Sequence, residues 1–442
     1  LVDGVPLTLG WDHRTDLSVV PLTGAQALTL VRGLASVLHG PNVLGGVVEV
    51  GVAHGRLAAP EVRPLRTDVG VGEAGARSVA EVVGRGAELG SGGELVVRGG
   101  AGYRERDGVP LPGGVVDPGA SDGLRGNSDA QTVDGFVAVR YRGAPGAQGE
   151  GSWLARSASG FRSERGVPPE LHVAEPRFWR YPALRRTVVA LSGGTGQRAT
   201  PFGVGDLEAS VGVDLGRTEI DSYGDWSYGE VVERELGDDR TLTFRLLGDH
   251  TLGPQMDLRA ALTLAETRHD ETLSERAGSG WDSVERRYRQ RLWSLGAELE
   301  RRLGGAGWLS GARVSLGAVV DGADTPESGD KPPLGRLWEW GGRVGVTAAA
   351  AGGRALVHAG ASRRARFPAL RELYSGALGR FAPNPELRPE ILAGAEAGVS
   401  SDAGALRFQA VGFYQRLSGA IVRVALPDRR LRRENRDELR SV

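Results

Sequence analysis

The feature that most constrains the fold is an alternation of apolar and polar residues that recurs along most of the chain. Four segments show it most clearly, at residues 207–216, 256–264, 308–320 and 338–346. A period of two residues is that of a β-strand whose two faces meet different surroundings. About fourteen such segments follow residue 77, which predicts an all-β fold rather than a helical or α/β one.

The connections between these segments alternate in length. Tight turns are expected at 251–255, 304–307, 351–353 and 401–404, and long polar links at 103–132, 162–185, 219–238, 267–287, 321–336 and 364–390. Long loops at one end and tight turns at the other are typical of a transmembrane β-barrel, whose tilted strands need only ~9–11 residues to span a bilayer. A soluble or surface-exposed β-rich binding protein stays the alternative, because a sandwich also alternates.

Composition excludes several classes of protein. The 442 residues contain 54 basic and 55 acidic side chains, a net charge of −1, so no basic field for nucleic acid is expected. Cysteine is absent, which excludes disulfides, thiolate metal sites and a cysteine nucleophile. No apolar run reaches the ~18 residues of a membrane-spanning helix.

Motifs for catalysis and cofactors are sparse. The segment GVGEAG at 70–75 lacks the βαβ context of a dinucleotide site, and the seven histidines lack metal-ligand spacing. Asp321, Asp324, Glu327 and Asp330 are expected in one loop, as a Ca²⁺ site or as a solvated acidic loop. We therefore expect no cofactor, no metal and no enzyme. A barrel enzyme would need a nucleophile–base pair facing the lumen, and none is evident.

The first 55 residues differ from the rest, because glycines separate short apolar pieces. They predict a small mixed α/β unit with a strand at 27–32 and a short helix near 34–39. Three segments, LVDGVPL at 1–7, ALTLVRGLASVLHG at 27–40 and PNVLGGVVEV at 41–50, resemble the plug domain of TonB-dependent outer-membrane receptors. The segment 362–390, with its ELY and NPELRPE stretches, resembles the barrel signature of the same family.

This resemblance implies a transmembrane barrel of about 22 strands with the plug inside its lumen. It assigns residues 1–55 to the C-terminal part of the plug and 56–442 to an incomplete barrel, so we expect that this stretch lacks the start of the plug and the last strands and cannot close by itself. The implied activity is capture of an extracellular ligand, most often a ferric siderophore, and its transport into the periplasm with energy from TonB and its inner-membrane complex. The implied location is the outer membrane, with its lipid and lipopolysaccharide as neighbours.

The resemblance also nominates site residues. The plug motif, expected to be structural and gating, comprises Asp3, Gly4, Arg32, Gly33, Gly40, Gly45 and Gly46. The barrel motif comprises Glu372, Tyr374, Asn384, Pro385 and Pro389, of which Tyr374 is a candidate for the interfacial aromatic girdle. Arginine mixed with aromatic residues suits anionic ligands, which nominates the loop residues Arg177, Trp179, Arg180, Arg363 and Arg364.

Overall fold

The computed structural model describes most of the chain. The described residues are 1–6, 10–12, 23–33, 36–53, 64–90, 92–147, 149–172, 176–304, 311–350, 354–376, 381–403, 406–428 and 430–441. Within them no helix has the length and apolar character that a membrane crossing needs.

Nearly all regular structure is β-strand. In chain order the strands are Ala27–Arg32 (β1), Gly46–Gly51 (β2), Leu65–Val71 (β3), Arg77–Leu89 (β4), Gly93–Arg106 (β5), Ala130–Arg142 (β6), Trp153–Val167 (β7), Phe178–Gly194 (β8), Arg198–Thr200 (β9), Gly203–Tyr223 (β10), Val231–Thr251 (β11), Met256–Ala277 (β12), Gly280–Arg302 (β13), Arg313–Ser328 (β14), Leu337–Ala350 (β15), Ala355–Arg366 (β16), Phe381–Ala382 (β17), Glu390–Ala403 (β18), Leu406–Ala425 (β19) and Leu431–Ser441 (β20). A 3₁₀ turn, Val37–His39, and one short helix, α1 at Leu370–Tyr374, complete the described elements.

Strands β3 to β20 form one barrel-shaped sheet in which long neighbours pair antiparallel, while β1 and β2 form a separate hairpin. The short strand β17 pairs parallel with β20. Within the described residues, β3 has a ladder with β4 and β20 has ladders with β19 and β17, and no ladder joins β3 to β20. The expectation of an incomplete barrel therefore stays a prediction, as does the strand number of the whole protein.

The two faces of the barrel wall differ as the alternation predicts. On β10, Leu207, Val211 and Leu215 are exposed on the outer face, whereas Glu208 and Ser210 are buried on the inner one. The same outer band continues over the neighbouring strands with exposed leucine, valine and tryptophan side chains. Exposed apolar side chains in a continuous band are what a wall in contact with lipid requires.

Several predicted loops are strands. The links expected at 219–238 and 267–287 shrink to residues 224–230 and 278–279, because β10 to β13 continue well past the apolar band. Polar residues on both faces hide the alternation there, yet the ladders β10–β11 and β12–β13 continue through these residues, with one register shift at Ser222/Tyr223. The two longest connections, 107–129 and 367–389, do lie at one end of the barrel, which we call the loop end; the opposite end is the turn end.

The acidic residues expected in one loop are also dispersed. Asp321, Asp324 and Glu327 lie on β14, and Asp330 follows it. Asp321 is buried on the inner face, whereas Glu327 forms an ion pair with Arg289. Successive strand residues point to opposite faces, so the carboxylates do not converge. In the described part of the chain, no three His, Asp or Glu side chains are grouped to hold a metal ion.

The N-terminal segment that carries this hairpin lies inside the barrel. Residues before, between and after its two strands form hydrogen bonds with inner-face side chains of β5, β7, β11, β13 and β16, which lie on different sides of the wall. Only a segment within the lumen can reach all of these strands. Strand β1 and the 3₁₀ turn match the strand predicted at 27–32 and the short helix predicted near 34–39.

Candidate functional site

The wall holds residues 36–42 through polar contacts, which we call the polar seat: Arg245, Glu298, Arg364 and the backbone of Phe367. Arg245 on β11 donates to the carbonyl oxygens of Gly4 and Leu38 at 3.2 and 3.1 Å. Glu298 on β13 accepts from the Val37 amide at 2.8 Å. These side chains point inward because they occupy the inner positions of the alternation, and each replaces water at a backbone group inside the lumen.

The seat continues on β16. Arg364 donates to the Gly40 carbonyl at 2.7 Å and lies 3.6 Å from Asp321, and both side chains are almost fully buried. The Phe367 amide donates to Asn42 Oδ1 at 2.8 Å. Each of these hydrogen bonds joins a group of the barrel side to a group of the N-terminal segment.

Asp3, nominated from the plug motif, anchors the start of the hairpin. Its carboxylate accepts from the amides of Val52 and Ala53 at 2.7 and 3.0 Å and from the Ser157 hydroxyl at 2.6 Å. Asp3 itself adopts φ 47° and Gly4 φ 79°, a left-handed turn that glycine accommodates without strain. One aspartate therefore ties the first turn to the end of β2 and to the wall.

The other nominated plug residues lie at the turns of the hairpin. Gly33 follows β1 with φ +83°, and a β-carbon there would approach Glu396 Oε2 to 2.6 Å. Gly45 accepts from the Gly33 amide, and Gly46 begins β2. Gly40 ends the 3₁₀ turn. Arg32 ends β1, and its side chain lies outside the described residues.

A second contact, the aromatic seat, holds Gly10–Asp12 nearer the loop end. The Trp11 ring stacks on His269 with centroids 4.1 Å apart and planes 12° apart, and it packs against Tyr288 at 4.9 Å. From the connection 367–389, Arg371 donates its amide to the Trp11 carbonyl and its guanidinium to Asp12 at 2.7 Å. Helix α1 thus reaches into the barrel mouth and grips the N-terminal segment.

The barrel-motif residues build α1 and its surroundings. Glu372 accepts from the Ala369 amide and forms a two-bond pair with Arg366 at 3.0 Å. Tyr374 is buried, and its hydroxyl accepts from the Leu334 amide, so it is not a girdle aromatic. The cause is that α1 folds inward and covers Tyr374 with Trp11, Tyr288 and leucines.

The rest of the barrel motif lies in the return to β18. The side-chain amide of Asn384 donates to the Arg433 carbonyl at 2.8 Å, and its backbone amide donates to the Leu373 carbonyl. Pro385 and Pro389 lie in the segment between β17 and β18. These contacts fix the path of the chain after α1.

The nominated ligand-loop residues are engaged within the wall and loops. Arg177 pairs with Glu170 and stacks over the Trp179 ring at 4.6 Å, and Trp179 is buried against Ile220. Arg180 pairs with Asp129 at 2.7 Å. Strand β8 already includes Trp179 and Arg180, and strand β16 includes the other two arginines, so these four do not lie in loops.

The two arginines of β16 have separate surroundings. Arg363 lies over the Trp340 ring at 4.2 Å and donates to Glu339, whereas Arg364 belongs to the polar seat. They are neighbours in sequence, and the strand period sends them to opposite faces.

Sequence reasoning missed a cavity that opens at the loop end. This outer cavity has a volume of about 430 Å³ and is lined by residues of β3 to β8 and of the turn between β3 and β4. Its charged and polar lining comprises Arg77, Arg104, Arg106, Arg165, Glu105, Ser78, Thr132 and Ser163, with Phe161 and Leu184 as its apolar floor. Arg77 pairs with Glu105 and Arg104 with Asp134, and a lining this rich in guanidinium groups suits an anion with an apolar or aromatic part.

A larger cavity, about 730 Å³, lies toward the turn end beneath the polar seat. His39, Arg245, Glu298 and Arg343 line it together with further charged side chains of both signs. Burial and the neighbouring guanidiniums of Arg245 and Arg364 lower the pKa of His39 to about 4, and its Nδ1 lacks a hydrogen-bond partner in the described residues. His39 is therefore neutral at pH 7 beside two cations.

Glycines on the inner wall mark where the N-terminal segment approaches. A β-carbon at Gly212 would lie 2.2 Å from Val5 Cγ1, and one at Gly296 would lie 2.9 Å from the Val37 carbonyl oxygen. In the sequence, charged residues and glycines at inner positions of a strand were the available signal for contact with the N-terminal segment. The sequence alone does not show which of these residues contacts which part of that segment across the lumen.

Comparisons with known proteins agree with this architecture. Residues 190–441 match the family model described as "TonB dependent receptor-like, beta-barrel". The copper transporter OprC has a similar solved structure (16% identity, 100% of this chain and 66% of that one, TM-score 0.77). So do the Serratia marcescens hemophore receptor HasR, solved with HasA and heme (13%, 100% and 69%, 0.68), and the Acinetobacter baumannii siderophore receptor PirA (13%, 99% and 66%, 0.62).

The chain spans about two thirds of the length of these solved structures, and at such identities the likeness shows the fold alone. No curated protein sequence matches. The family model, however, covers more than half of the chain, and the barrel-shaped sheet with its buried inner polar face agrees with it. The chain belongs to the TonB-dependent receptor family.

Proposed function

We propose that this chain is the barrel and inner gate of an outer-membrane receptor that captures an anionic chelate, a ferric siderophore, and admits it to the periplasm when the TonB system pulls on the gate. In this proposal residues 1–55 are the C-terminal part of the plug and residues 56–442 form barrel wall. The loop end faces outward and the turn end faces the periplasm. The cell's TonB complex and the outer-membrane lipid are the partners.

The observation that carries the proposal is the placement of the N-terminal segment between two polar cavities. The outer cavity, with its four guanidiniums, lies one strand step toward the loop end from Gly102 and Phe136, where Thr23 and Gly24 contact the wall. The larger cavity is lined by Ser36, Leu38 and His39 of the N-terminal segment and lies toward the turn end. A charged solute entering at the loop end must move this segment in order to pass.

The seats suit a gate that is pulled open. The polar seat consists of separate hydrogen bonds to backbone groups beside a solvated cavity, where water can replace each bond as it breaks. A neighbouring structure bears the name of a siderophore receptor and another that of a copper transporter, so the family likeness does not choose the cargo.

A disulfide across the gate tests the proposal. The chain has no cysteine, and the β-carbons of Val5 and Gly212→Cys would lie 3.2 Å apart, near the ~3.8 Å of a disulfide. Cells that express full-length Val5→Cys/Gly212→Cys receptor should bind a radiolabelled ferric chelate while oxidised and import it only after reduction. Each single cysteine variant is the control.

Import by the oxidised double variant at the rate of the single variants would remove the gate from the proposal. The same import measurements are repeated in cells that lack TonB. Import that is lost in those cells is energised transport, and import that remains is leakage. A panel of ferric catecholate, ferric hydroxamate, heme and copper ligands, measured for binding on the same cells, identifies the cargo.

A further inference from the structure

The outer face of the barrel carries two rows of arginine directly above the apolar band, on the loop-end side. In the strand register, Arg162 faces Arg185 and Arg185 faces Arg217, across β7, β8 and β10. The second row continues the belt, with Arg240 facing Arg268 and Arg268 facing Arg289 across β11, β12 and β13. We call these six residues the arginine belt.

Without a bound counter-ion, such rows of like charge destabilise the folded barrel. Directly opposed side chains in an antiparallel pair have β-carbons only ~4.5–5.5 Å apart, and like charges in that position are destabilising. The four like-charged pairs of the two rows therefore need counter-charges. Arg162, Arg217 and Arg268 find them in Glu164, Asp238 and Glu266, and Arg289 finds one in Glu327.

Arg185 and Arg240 stay uncompensated. Both are exposed, and within the described residues neither side chain forms a hydrogen bond or ion pair. A shallow recess of about 250 Å³, a size that admits a phosphate group, lies among Arg185, Arg217 and Arg240. Asp238 and Asp239 also line it, and they pair with Arg217 and His269. The belt thus offers unpaired cations at its two most central strands, with the backbone of β10 between them.

The position of the belt along the barrel axis determines which kind of ligand can occupy the recess. Immediately toward the turn end, the same outer face becomes apolar and exposed, with Leu215 on β10, Leu242 on β11 and Leu264 on β12. A ligand seated on the belt can place acyl chains along these leucines and its charged group among the arginines. A free phosphate would use only half of this surface.

We propose that the arginine belt binds the phosphate groups of a phosphorylated lipid of the outer leaflet, with Arg185 and Arg240 as its principal contacts. This rests on the outer-membrane location under Proposed function, but not on the gate or the cargo. Guanidiniums suit phosphates because two N–H groups can donate to one phosphate at once. The bound lipid would relieve the repulsion within the belt and fix the barrel's height in the membrane.

The test compares Arg185→Gln/Arg240→Gln with the wild-type protein in detergent micelles. The probes are bisphosphorylated lipid A and dephosphorylated lipid A with the same acyl chains, and the readout is lipid retained per barrel. The control is Arg276→Gln/Arg407→Gln, which removes the same charge from exposed arginines far from the belt. Losing two charge-assisted contacts should weaken retention of the bisphosphorylated lipid by roughly tenfold or more, with no change in the control.

Three results would overturn the proposal: unchanged retention in the belt variant, equal retention of the dephosphorylated lipid, or an equal loss in the control. Displacement of the lipid by inorganic phosphate at equal concentration would instead assign the belt to small anions and remove the lipid from it. Normal chelate import by a belt variant that has lost the lipid leaves the transport proposal intact. Lipid retention in a protein that never imports a chelate leaves the belt intact and refutes the transport proposal.

Discussion

The polar seat and the aromatic seat hold the same N-terminal segment by opposite means. In the polar seat, wall side chains such as Arg245 donate to backbone carbonyls beside a cavity of about 730 Å³. In the aromatic seat, Trp11 is sandwiched among His269, Tyr288 and α1, with one ion pair, Arg371–Asp12, at its edge. The first is a set of replaceable bonds and the second is a packed core.

This difference predicts which seat a bound ligand would loosen and which seat a mechanical pull would loosen. Hydrogen bonds beside water exchange partners at little net cost, whereas a buried aromatic ring must lose its whole contact area to leave. The connection 367–389 carries α1, so a ligand that moves this connection acts first on the aromatic seat. A pull on the hairpin acts first on the polar seat.

The largest expected effect is that of Trp11→Ala, which empties the aromatic seat. Truncating a buried tryptophan costs about 3 kcal/mol or more in the stability of its surroundings. The amide of Arg371, which donates to the Trp11 carbonyl, should then exchange hydrogen for deuterium at least tenfold faster, while the Val37 amide stays protected. The control is Trp281→Ala, an exposed tryptophan on β13. Equal acceleration at both seats would show that they are one unit.

The next effect is that of Arg245→Met, which leaves the buried Gly4 and Leu38 carbonyls without their donor. An unsatisfied buried carbonyl costs on the order of 1–3 kcal/mol, partly recovered here because cavity water can enter, so about 2 kcal/mol is expected. Hydrogen exchange should accelerate at Val37 and Leu38 but not at Arg371. Arg259→Met, at a half-exposed lining residue of the same cavity, is the matched control. Unchanged exchange at Val37 would mean that Glu298, Arg364 and Phe367 hold the turn without Arg245.

A smaller effect separates packing from bonding within the polar seat. In Gly296→Ala the new methyl group would lie 2.9 Å from the Val37 carbonyl oxygen, so the 3₁₀ turn must shift. Overpacking of this kind costs about 1 kcal/mol. Gly248→Ala, on the outer face with its nearest contact at 4.0 Å, should leave exchange at Val37 unaffected. If both variants behave alike, the seat has more room than the structure gives it.

Sequence reasoning reached the barrel because alternation on strands such as β10 records one apolar and one polar environment. It lost the strand ends where both faces are polar, as at 219–223 and 231–238, since the period then carries no contrast. Asp3 was found because a short local motif defines its turn. Arg245 and Trp11 were missed, because their roles depend on partners more than 200 residues away in the chain.

Arg364 shows the same limit in reverse. Its aromatic and basic neighbours nominated it for a ligand loop, whereas the strand period of β16 turns it inward onto the Gly40 carbonyl. Composition near a residue gives its chemistry, and only the register of the strand gives the face on which that chemistry acts.

Acidification gives the sharpest contrast between the seats. Seating lowers the pKa of His39 to about 4, against an ordinary value near 6.5, because burial and two guanidiniums disfavour its charged form. The contribution of neutral His39 is fully present above about pH 6.5 and is lost as the pH falls toward 4, since only the released segment takes up the proton there. Exchange at the Leu38 amide, corrected for its intrinsic pH dependence, should therefore accelerate between pH 7 and pH 5, and His39→Gln should abolish that slope. His172→Gln, in the connection between β7 and β8, is the control and should keep the wild-type slope. If His39→Gln kept the wild-type slope as well, the acid response would belong to another titratable group of the polar seat. Protonation of His39 would then not be what releases the segment.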